Sequence, residues 1–549
     1  LSRGMAALSS KLSDIVATMT ADRGFDIVIV CTSDVGQANF WQPRLEATRG
    51  QAAKSGAVVL VVDEDWGGDG AGNGLGSLYA FKKAADKASQ QGLDLLAELA
   101  KGSSVAIYHT AGKGTRLAPL PGSETNNKPG VKLPSLVNVG DSTVELSILE
   151  AVVRQTGVYA DERKGRCSVF WGDQVFIPSS GVNPSGSHHA DILAMLGPMP
   201  SAQQWAEKGL EKYGLIAVQP NGEAVQIEKV THEQATQLLG DSVTAVGPSL
   251  GSFSVSATML EMLMTEFNAE LAGKTAKLDA DPHFWMPLTL ARADYIKIML
   301  TKKMPEDAAG AHFDRMAAFK TKLAAATPGV GVFGAVDVGD QGYWWDYGLH
   351  LPPSCLPHPD TVPSRVPVAG QLAFFSTNNK LAAQPSEEAK VLRQFFRIAS
   401  VTDKSALGDT AVDQSVVLNS RIARGKVTAS TLSSVCCEDI DVTDSVIFNV
   451  TAKSIKGKNL VLYNVVENGD LDLAEGSVRA DVFRGGDAPA TAMRSHLSTD
   501  GGKAWHDRVH DNAMSFDEVH KSNKAVNIGD AQKALTAAHT AARSALSLP

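Results

Sequence analysis

The stretch Val105-Ala-Ile-Tyr-His-Thr-Ala-Gly-Lys-Gly-Thr-Arg-Leu-Ala-Pro-Leu120 joins an apolar run to a glycine-rich turn. The apolar run has the composition and length of a buried β-strand. Gly112 and Gly114 let backbone N–H groups surround phosphate oxygens, and Arg116 adds a forked cation. The turn is neither a Walker loop nor a Gly-x-Gly-x-x-Gly dinucleotide fingerprint. It predicts a phosphate-binding turn, and a purely structural loop is the alternative for a glycine turn taken alone.

Similar apolar runs recur along the first two-thirds of the chain, at Ile27–Val30, Val58–Val62 and Cys167–Phe170. Each is followed by a glycine-rich or acidic turn and then by an amphipathic stretch, which is the pattern of repeated strand–loop–helix units. This pattern predicts an α/β fold with a mostly parallel sheet that is covered on both faces. Ligands of such sheets bind at the carboxyl ends of the strands.

Composition excludes several classes of protein. With 549 residues, 44% of them hydrophobic, the chain is too long for one core, and we expect two or three domains. Its formal net charge of −9 argues against binding a nucleic-acid polymer, so any phosphate must be bound by local cations. No run of about 18 apolar residues is present, and we expect no membrane partner. We expect a soluble intracellular protein of the cytoplasm or the plastid stroma.

A proline-dense stretch between residues 352 and 370 indicates a domain boundary. Beyond residue 413, short apolar pairs recur about every 15 residues with polar residues between them, as in the coils of a parallel β-solenoid. A Greek-key sandwich is the alternative. The Ala-rich run that begins at Asp530 predicts a capped terminal helix.

Several motifs follow the glycine turn in a fixed order. They are Asn127-Lys-Pro-Gly-Val-Lys-Leu-Pro134, Phe170-Trp-Gly-Asp-Gln-Val-Phe176, the hairpin Tyr213–Lys229 that ends in Glu-Lys, Gly251-Ser-Phe-Ser-Val255 and Gly342-Tyr-Trp-Trp-Asp-Tyr-Gly348. With Gly112-Lys-Gly-Thr-Arg-Leu-Ala-Pro-Leu120, this series resembles the sugar-1-phosphate nucleotidyltransferases, which make nucleotide sugars. The resemblance spans about residues 105–350. It implies a Rossmann-like, GT-A-type sheet.

The resemblance also implies roles for individual residues. Asp173 and Asp346 are expected to bind Mg²⁺ against the α-phosphate, and Arg116 to steady the leaving pyrophosphate. The Lys-Pro segment offers two basic candidates, Lys128 and Lys132, of which Lys132 fits the family spacing slightly better. Because an oxygen of the sugar phosphate attacks phosphorus directly, charge stabilisation rather than a covalent intermediate is expected to carry the reaction.

The expected nucleotide-binding residues lie in two segments. The glycine turn supplies Ala111, Gly112, Gly114 and Thr115, and the earlier segment Gly72-Asn73-Gly74 is a candidate seat for the base or ribose, or else a plain tight turn. Its position ahead of the glycine turn is similar to that in fucose-1-phosphate guanylyltransferases and indicates a rearranged sheet. The resemblance assigns three residues to the sugar phosphate. They are Gly214, Glu228 and Lys229.

These expectations divide the chain into five parts. They are a helical N-terminal extension (1–24), a nucleotidyltransferase domain (25–365), a linker (366–403), a left-handed β-helix domain like that of ADP-glucose pyrophosphorylases (404–495) and a tail with a terminal helix (496–549). The substrates would be a nucleoside triphosphate and a hexose 1-phosphate, for a UDP-glucose or GDP-fucose type of product. The β-helix is a candidate surface for homo-oligomerisation. The alternative function is an inactive regulatory or scaffolding subunit with the same fold.

Overall fold

The computed structural model describes residues 2–68, 70–110, 112–181, 187–239, 243–346, 371–486 and 488–548. Within these ranges the chain is a mixed α/β protein with two large sheets, so the α/β class expected from the sequence is confirmed. None of the helices in these ranges combines the length and apolar character that a membrane crossing requires.

The strands of the first part of the chain are β1 Ile27–Thr32, β2 Val58–Asp63, β3 Val105–His109, β4 Lys132–Val139, β5 Ser142–Ser147, β6 Arg166–Trp171, β7 Gln174–Ile177, β8 His188–Ala194, β9 Gly214–Val218, β10 Ala224–Glu228, β11 Ala245–Ser256, β12 Gly331–Asp337 and β13 Tyr343–Asp346. Those of the second part are β14 Asp409–Asp413, β15 Val416–Leu418, β16 Arg421–Thr428, β17 Thr431–Thr443, β18 Val446–Thr451, β19 Ser454–Lys458, β20 Val461–Val466, β21 Asp470–Asp472, β22 Ser477–Val482 and β23 Thr491–His496.

The helices are α1 Ser2–Thr20, α2 Val35–Ala47, α3 Gly72–Ser89, α4 Leu95–Ala100, α5 Leu120–Ser123, α6 Ile148–Thr156, α7 Ala202–Glu207, α8 His232–Leu239, α9 Ala257–Glu266, α10 Asn268–Gly273, α11 Met286–Thr289, α12 Arg292–Thr301, α13 Glu306–Ala326, α14 Gln371–Leu381, α15 Glu387–Phe395, α16 Phe516–Asn523 and α17 Ile528–Ala545. The predicted linker thus contains α14 and α15. Both helices bury aromatic or aliphatic side chains, among them Phe375, Leu392 and Phe395, and that burial gives this segment regular structure.

The first sheet has the strand order β10-β9-β11-β6-β3-β1-β2, with β8 beside β11 and β12 beside β8. Its strands β2, β1, β3 and β6 are parallel, and the neighbours of β11 are antiparallel to it. Alternate residues of β1 pack into different clusters, Val28 and Val30 on one face and Ile27 and Ile29 on the other. Both faces of the parallel part are therefore covered. The turns after β2, β3 and β6 lie at the same end of the sheet, where the carboxyl ends of these strands are.

The second sheet is parallel throughout except for its last pair, β22 and β23. Its register advances by 15 residues: Thr431 lies opposite both Val416 and Val446, and Val446 lies opposite Val461. The polar positions repeat with the same spacing, because Ser430 N donates to Ser415 Oγ and the next serine of the series donates to Ser430. The 15-residue interval read from the sequence thus corresponds to stacked parallel strands.

The two parts of the chain are joined by buried polar contacts. Tyr463 of β20 donates from Oη to Glu124, at a distance of 2.6 Å, and accepts from the backbone N–H of Lys132 at 2.9 Å. Ser433 of β17 donates to Glu145 of β5 at 2.9 Å. The second sheet therefore packs directly against the segment that follows the glycine turn.

A substitution at Gly425 tests the 15-residue stacking. Gly425 has a φ of +130°, and a Cβ atom there would lie 1.9 Å from the carbonyl oxygen of Ile440 on the next strand. We expect Gly425→Ala to lower the free energy of unfolding by about 3 kcal/mol, because the strands cannot both keep their places. Gly469→Ala is the matched control, since a Cβ there meets nothing within 4 Å. Equal stability of the two variants in urea titrations would contradict the stacking.

Candidate functional site

The glycine turn follows β3 and leaves an open position beside an exposed cation. Gly112 is exposed with a φ of +124°, and a Cβ atom there would meet nothing within 4 Å. Thr115 begins a single 3₁₀ turn that carries Arg116. Arg116 is exposed, and no carboxylate of the described residues lies within ion-pair distance of it. The turn is therefore accessible to an anion. The predicted nucleotide-binding residue Ala111 lies outside the described residues.

Asp173 lies directly beside this turn. It follows β6, and the preceding residue, Gly172, donates from its backbone N–H to the carbonyl oxygen of His109 at 2.9 Å. The ammonium group of Lys128 contacts Asp173 Oδ2, and the two side chains are only 13% and 21% exposed. A Cβ atom at Gly114 would lie 3.1 Å from Cγ of Lys128. We call these residues, with Gly112 and Arg116, the loop cluster.

The second predicted metal ligand belongs to a strand that reaches the same place. β13 pairs antiparallel with β7, and Asp346 lies opposite Gln174, the residue that follows Asp173. Opposed residues of an antiparallel pair have Cα atoms about 5 Å apart, so the backbone brings the two aspartates into one neighbourhood. The side chain of Asp346 lies outside the described residues. Among the side chains that are described, no group of three His, Cys, Asp and Glu residues is arranged for a metal ion.

Lys132, the slightly preferred basic candidate, lies elsewhere. Its ammonium group contacts Glu124 and lies 4.9 Å from the ring centroid of Tyr463. Both partners are buried, and Tyr463 belongs to the second sheet. The geometry therefore favours Lys128 over Lys132 as the lysine of the loop cluster, because Lys128 contacts Asp173 whereas Lys132 contacts Glu124 and Tyr463 away from the turn.

The segment Gly72-Asn73-Gly74 is occupied by another part of the chain. The backbone N–H groups of Asn73 and Gly74 donate to Asp279 Oδ1 and to the carbonyl oxygen of Leu278, at 3.0 and 2.9 Å. Asn73 Oδ1 accepts from the backbone N–H of Ala280. These contacts give the segment a structural role at the start of α3. Its donors are used within the protein, which weighs against a direct backbone seat for a base.

Gly214 borders a group of buried polar side chains. A Cβ atom there would lie 3.1 Å from Nε2 of Gln226 and 3.8 Å from Oδ2 of Asp281. Gln226 is fully buried, and neither polar atom of its amide has a partner among the described residues. Burial, together with Glu228 and Asp279, raises the pKa of Asp281 to about 7. The amide of Gln226 is thus a buried polar group without a partner in the described part of the chain.

The two remaining sugar-phosphate candidates differ in their surroundings. Glu228 is 16% exposed, and its carboxylate pairs with Lys302 at 2.6 Å. Lys229 is 64% exposed, and its ammonium group lies 3.7 Å from Glu228. Glu228 is thus fixed beside the polar group at Gly214, whereas Lys229 extends into solvent.

Sequence reasoning missed residues at the carboxyl ends of the parallel strands. His109 ends β3, accepts or donates a 2.8 Å hydrogen bond with Ser77 Oγ, and lies against Trp171, the last residue of β6, with ring centroids 5.7 Å apart. A Cβ atom at Gly76 would be 3.6 Å from both His109 and Glu64. The position of His109 between strand and turn was available as a signal. Asp281 offered none, because its position depends on the fold.

The residues of the loop cluster can together stabilise a phosphate anion. Arg116 and Lys128 supply positive charge, Gly112 leaves the backbone accessible, and Asp173 supplies the carboxylate oxygens that hard divalent cations prefer. Comparison with known proteins adds nothing to this geometry, since no family model and no curated protein matches the chain.

The partly buried histidine at the end of β3 gives a pH prediction. Burial lowers the pKa of His109 to about 4, below the ordinary value of 6.5. Between pH 6.5 and 4 the unfolded chain binds a proton on His109 that the folded chain does not bind. The contribution of the neutral ring to folding stability is therefore present above pH 6.5 and is lost as the pH falls toward 4. We expect His109→Gln to reduce the loss between pH 6.5 and 4.5 by about 2 kcal/mol in urea titrations. An unchanged pH profile would contradict the neutral state of this ring.

Proposed function

We propose that this protein is a sugar-1-phosphate nucleotidyltransferase, which joins a nucleoside triphosphate to a hexose 1-phosphate and releases pyrophosphate. The loop cluster carries the proposal, because Lys128 contacts Asp173 beside the glycine turn and the same turn carries the exposed Arg116. Groups of this kind suit a reaction at phosphorus, in which charge stabilisation lowers the barrier.

The residues have distinct proposed roles. Arg116 binds the β- and γ-phosphates and stabilises the leaving pyrophosphate. Lys128 neutralises the α-phosphate, a role for which its contact with Asp173 gives more support than the surroundings of Lys132. Asp173 and Asp346 would hold Mg²⁺, which supplies positive charge at the reacting phosphate when bound. The carboxylate of Asp173 fits that ion in chemistry, since Mg²⁺ prefers oxygen ligands.

The polar group beside Gly214 is the proposed sugar site. Gln226 has two buried polar atoms without a partner among the described residues, and Glu228, whose carboxylate can accept from a sugar hydroxyl, is held by Lys302 at a strand end. A UDP-glucose or GDP-fucose type of product remains the expectation. The nucleotide and the sugar can be identified by measuring pyrophosphate release. Each of five nucleoside triphosphates is tested with glucose, mannose, fucose, galactose and N-acetylglucosamine 1-phosphate.

We further propose that the second sheet winds as a parallel β-helix and that the first is a GT-A-type sheet. The 15-residue register between Val416 and Val461 supports the first proposal. Residues Asn419, Ser434, Asn449 and Asn464 all have φ between +47° and +54°, as expected if every coil turns in the same way. Assembly of copies through this domain, and a site of action in the cytoplasm or plastid stroma, are proposed on the same resemblance.

Asp173→Asn tests the metal role. We expect magnesium-dependent pyrophosphate release to fall by at least about a hundredfold, because an amide binds Mg²⁺ poorly while keeping the shape of the side chain. Asp161→Asn is the control, since Asp161 is 66% exposed and, among the described residues, pairs only with Arg23. Turnover is followed by a coupled phosphate assay, and a similar rate for the two variants would remove Asp173 from this role.

A pair of lysine variants separates the two basic candidates. We expect Lys128→Gln to lower kcat by about 10²- to 10³-fold, as when one charge-stabilising donor is removed. Lys132→Gln should keep kcat within about tenfold and lower the thermal midpoint instead, because it leaves Glu124 buried without its cation. The reverse pattern, with Lys132→Gln inactive and Lys128→Gln active, would contradict the assignment.

A further inference from the structure

A cavity lies away from the loop cluster. It has a volume of about 380 Å³ and is formed where α2, β4 and β5 meet the second sheet and helix α17. This volume is in the range of small-molecule sites. Its walls come from three distant parts of the sequence, so the cavity exists only in the assembled fold.

The walls carry an excess of positive charge. Four cationic side chains line the cavity, namely Arg44, Lys132, Arg421 and Arg543, against the two carboxylates of Glu124 and Glu145. Arg44 is neutralised by Glu150, with which it forms two hydrogen bonds of 2.7 and 2.9 Å. In the part of the chain that the structure describes, neither Arg421 nor Arg543 has a carboxylate within ion-pair distance. These two guanidinium groups are the ones available to an anion.

A buried histidine marks the inner wall. His539 of α17 is 5% exposed, and its Nδ1 shares a 2.8 Å hydrogen bond with Thr451 Oγ1. The other ring nitrogen, Nε2, has no partner among the described residues. A buried nitrogen without a partner is costly, and a ligand in the cavity would relieve that cost.

We propose that this cavity binds a small phosphate-bearing metabolite, held by Arg421 and Arg543 and contacted by His539 Nε2. Guanidinium groups match phosphate oxygens in shape and charge, and both can donate two parallel hydrogen bonds. The volume exceeds that of an inorganic phosphate ion and leaves room for a short carbon chain. The hydroxyl-bearing residues Thr143, Ser147 and Thr536 also line the wall and suit a polar ligand.

Binding there would reach the loop cluster through a short segment of chain. Glu124 and Lys132 line the cavity, and Lys128 lies between them in sequence. Trp41, also in the wall, donates from Nε1 to Asn127 Oδ1 at 2.9 Å. A ligand that moves Glu124 or Trp41 therefore shifts the residue next to Lys128. This regulatory step rests on the proposed function, whereas binding itself does not.

The binding experiment uses the full chain and three probes: glycerol 3-phosphate, inorganic phosphate and uncharged glycerol. Calorimetry gives the affinity, and the Cε1–H resonance of His539, assigned by its loss in His539→Gln, reports on this cavity alone. We expect a phosphate-bearing probe to bind below about 1 mM and to shift that resonance. Tighter binding of glycerol 3-phosphate identifies an organic phosphate as the ligand, and equal or tighter binding of inorganic phosphate identifies the free ion.

Variants test the two arginines. Arg421→Gln combined with Arg543→Gln should weaken binding at least about tenfold, since each loses a charge-assisted contact. Arg424→Gln is the matched control, because Arg424 lies on the same strand, is 55% exposed and pairs with Glu438 and Asp439. The proposal is overturned if neither phosphate probe shifts the His539 resonance, if glycerol does so equally, or if the double variant binds as tightly as the control.

Pyrophosphate release separates regulation from binding. We expect the better phosphate probe to change the rate in the wild type and in Arg424→Gln but not in the double variant. If the probe shifts the His539 resonance while no substrate pair releases pyrophosphate, the proposed function fails and the binding site stands. If release is normal and no probe binds, the site fails and the function stands.

Discussion

The buried carboxylate of Glu124 joins the two parts of this protein. A carboxylate can be buried at this depth, 7% exposed, only when partners replace its hydration. Glu124 has three: the ammonium of Lys132, the hydroxyl of Tyr463 at 2.6 Å and the amide of Asn464 at 3.1 Å. Two of these partners belong to the second sheet. The position of the segment after the glycine turn therefore depends on residues more than 300 positions away.

The same dependence extends to the glycine turn itself. Gly501 of the tail packs so closely that a Cβ atom there would lie 2.5 Å from the carbonyl oxygen of Thr115. Asn523 of α16 donates to the carbonyl oxygen of Gly122 at 2.8 Å. The C-terminal part thus packs against the glycine turn and the segment that follows it. We therefore expect its removal to disturb the candidate site, in addition to any assembly of copies through the second sheet.

Local periodicity predicted several of the elements but not the contacts between them. The strand Val105–His109 and the 15-residue interval from Val416 onward were readable because each depends on side chains close in sequence. The choice between Lys128 and Lys132 could not be predicted in this way. It depends on Glu124 and Tyr463, which come close to Lys132 only in the folded chain.

The segment Gly72–Gly74 shows a different limit of sequence reasoning. Its glycines suit a ligand seat or a plain tight turn, and the contacts that Leu278 and Asp279 make with it are not visible in the local sequence. The helices within residues 371–395 were missed for a third reason. Their flanking proline-dense stretch dominated the local pattern, while their buried face becomes evident only against the core.

Charge gives the strongest reason to regard the unpaired arginines as binding groups. The chain has 60 acidic and 51 basic residues, so carboxylates are in excess and an exposed arginine readily finds one. Arg292 and Arg508 do so on the surface, with Asp314 and Glu518. Arg116 does not, and neither do the two cavity arginines, within the part of the chain described. In an acidic protein, a guanidinium kept clear of carboxylates retains its full positive charge, and that charge is what recognition of a phosphate requires.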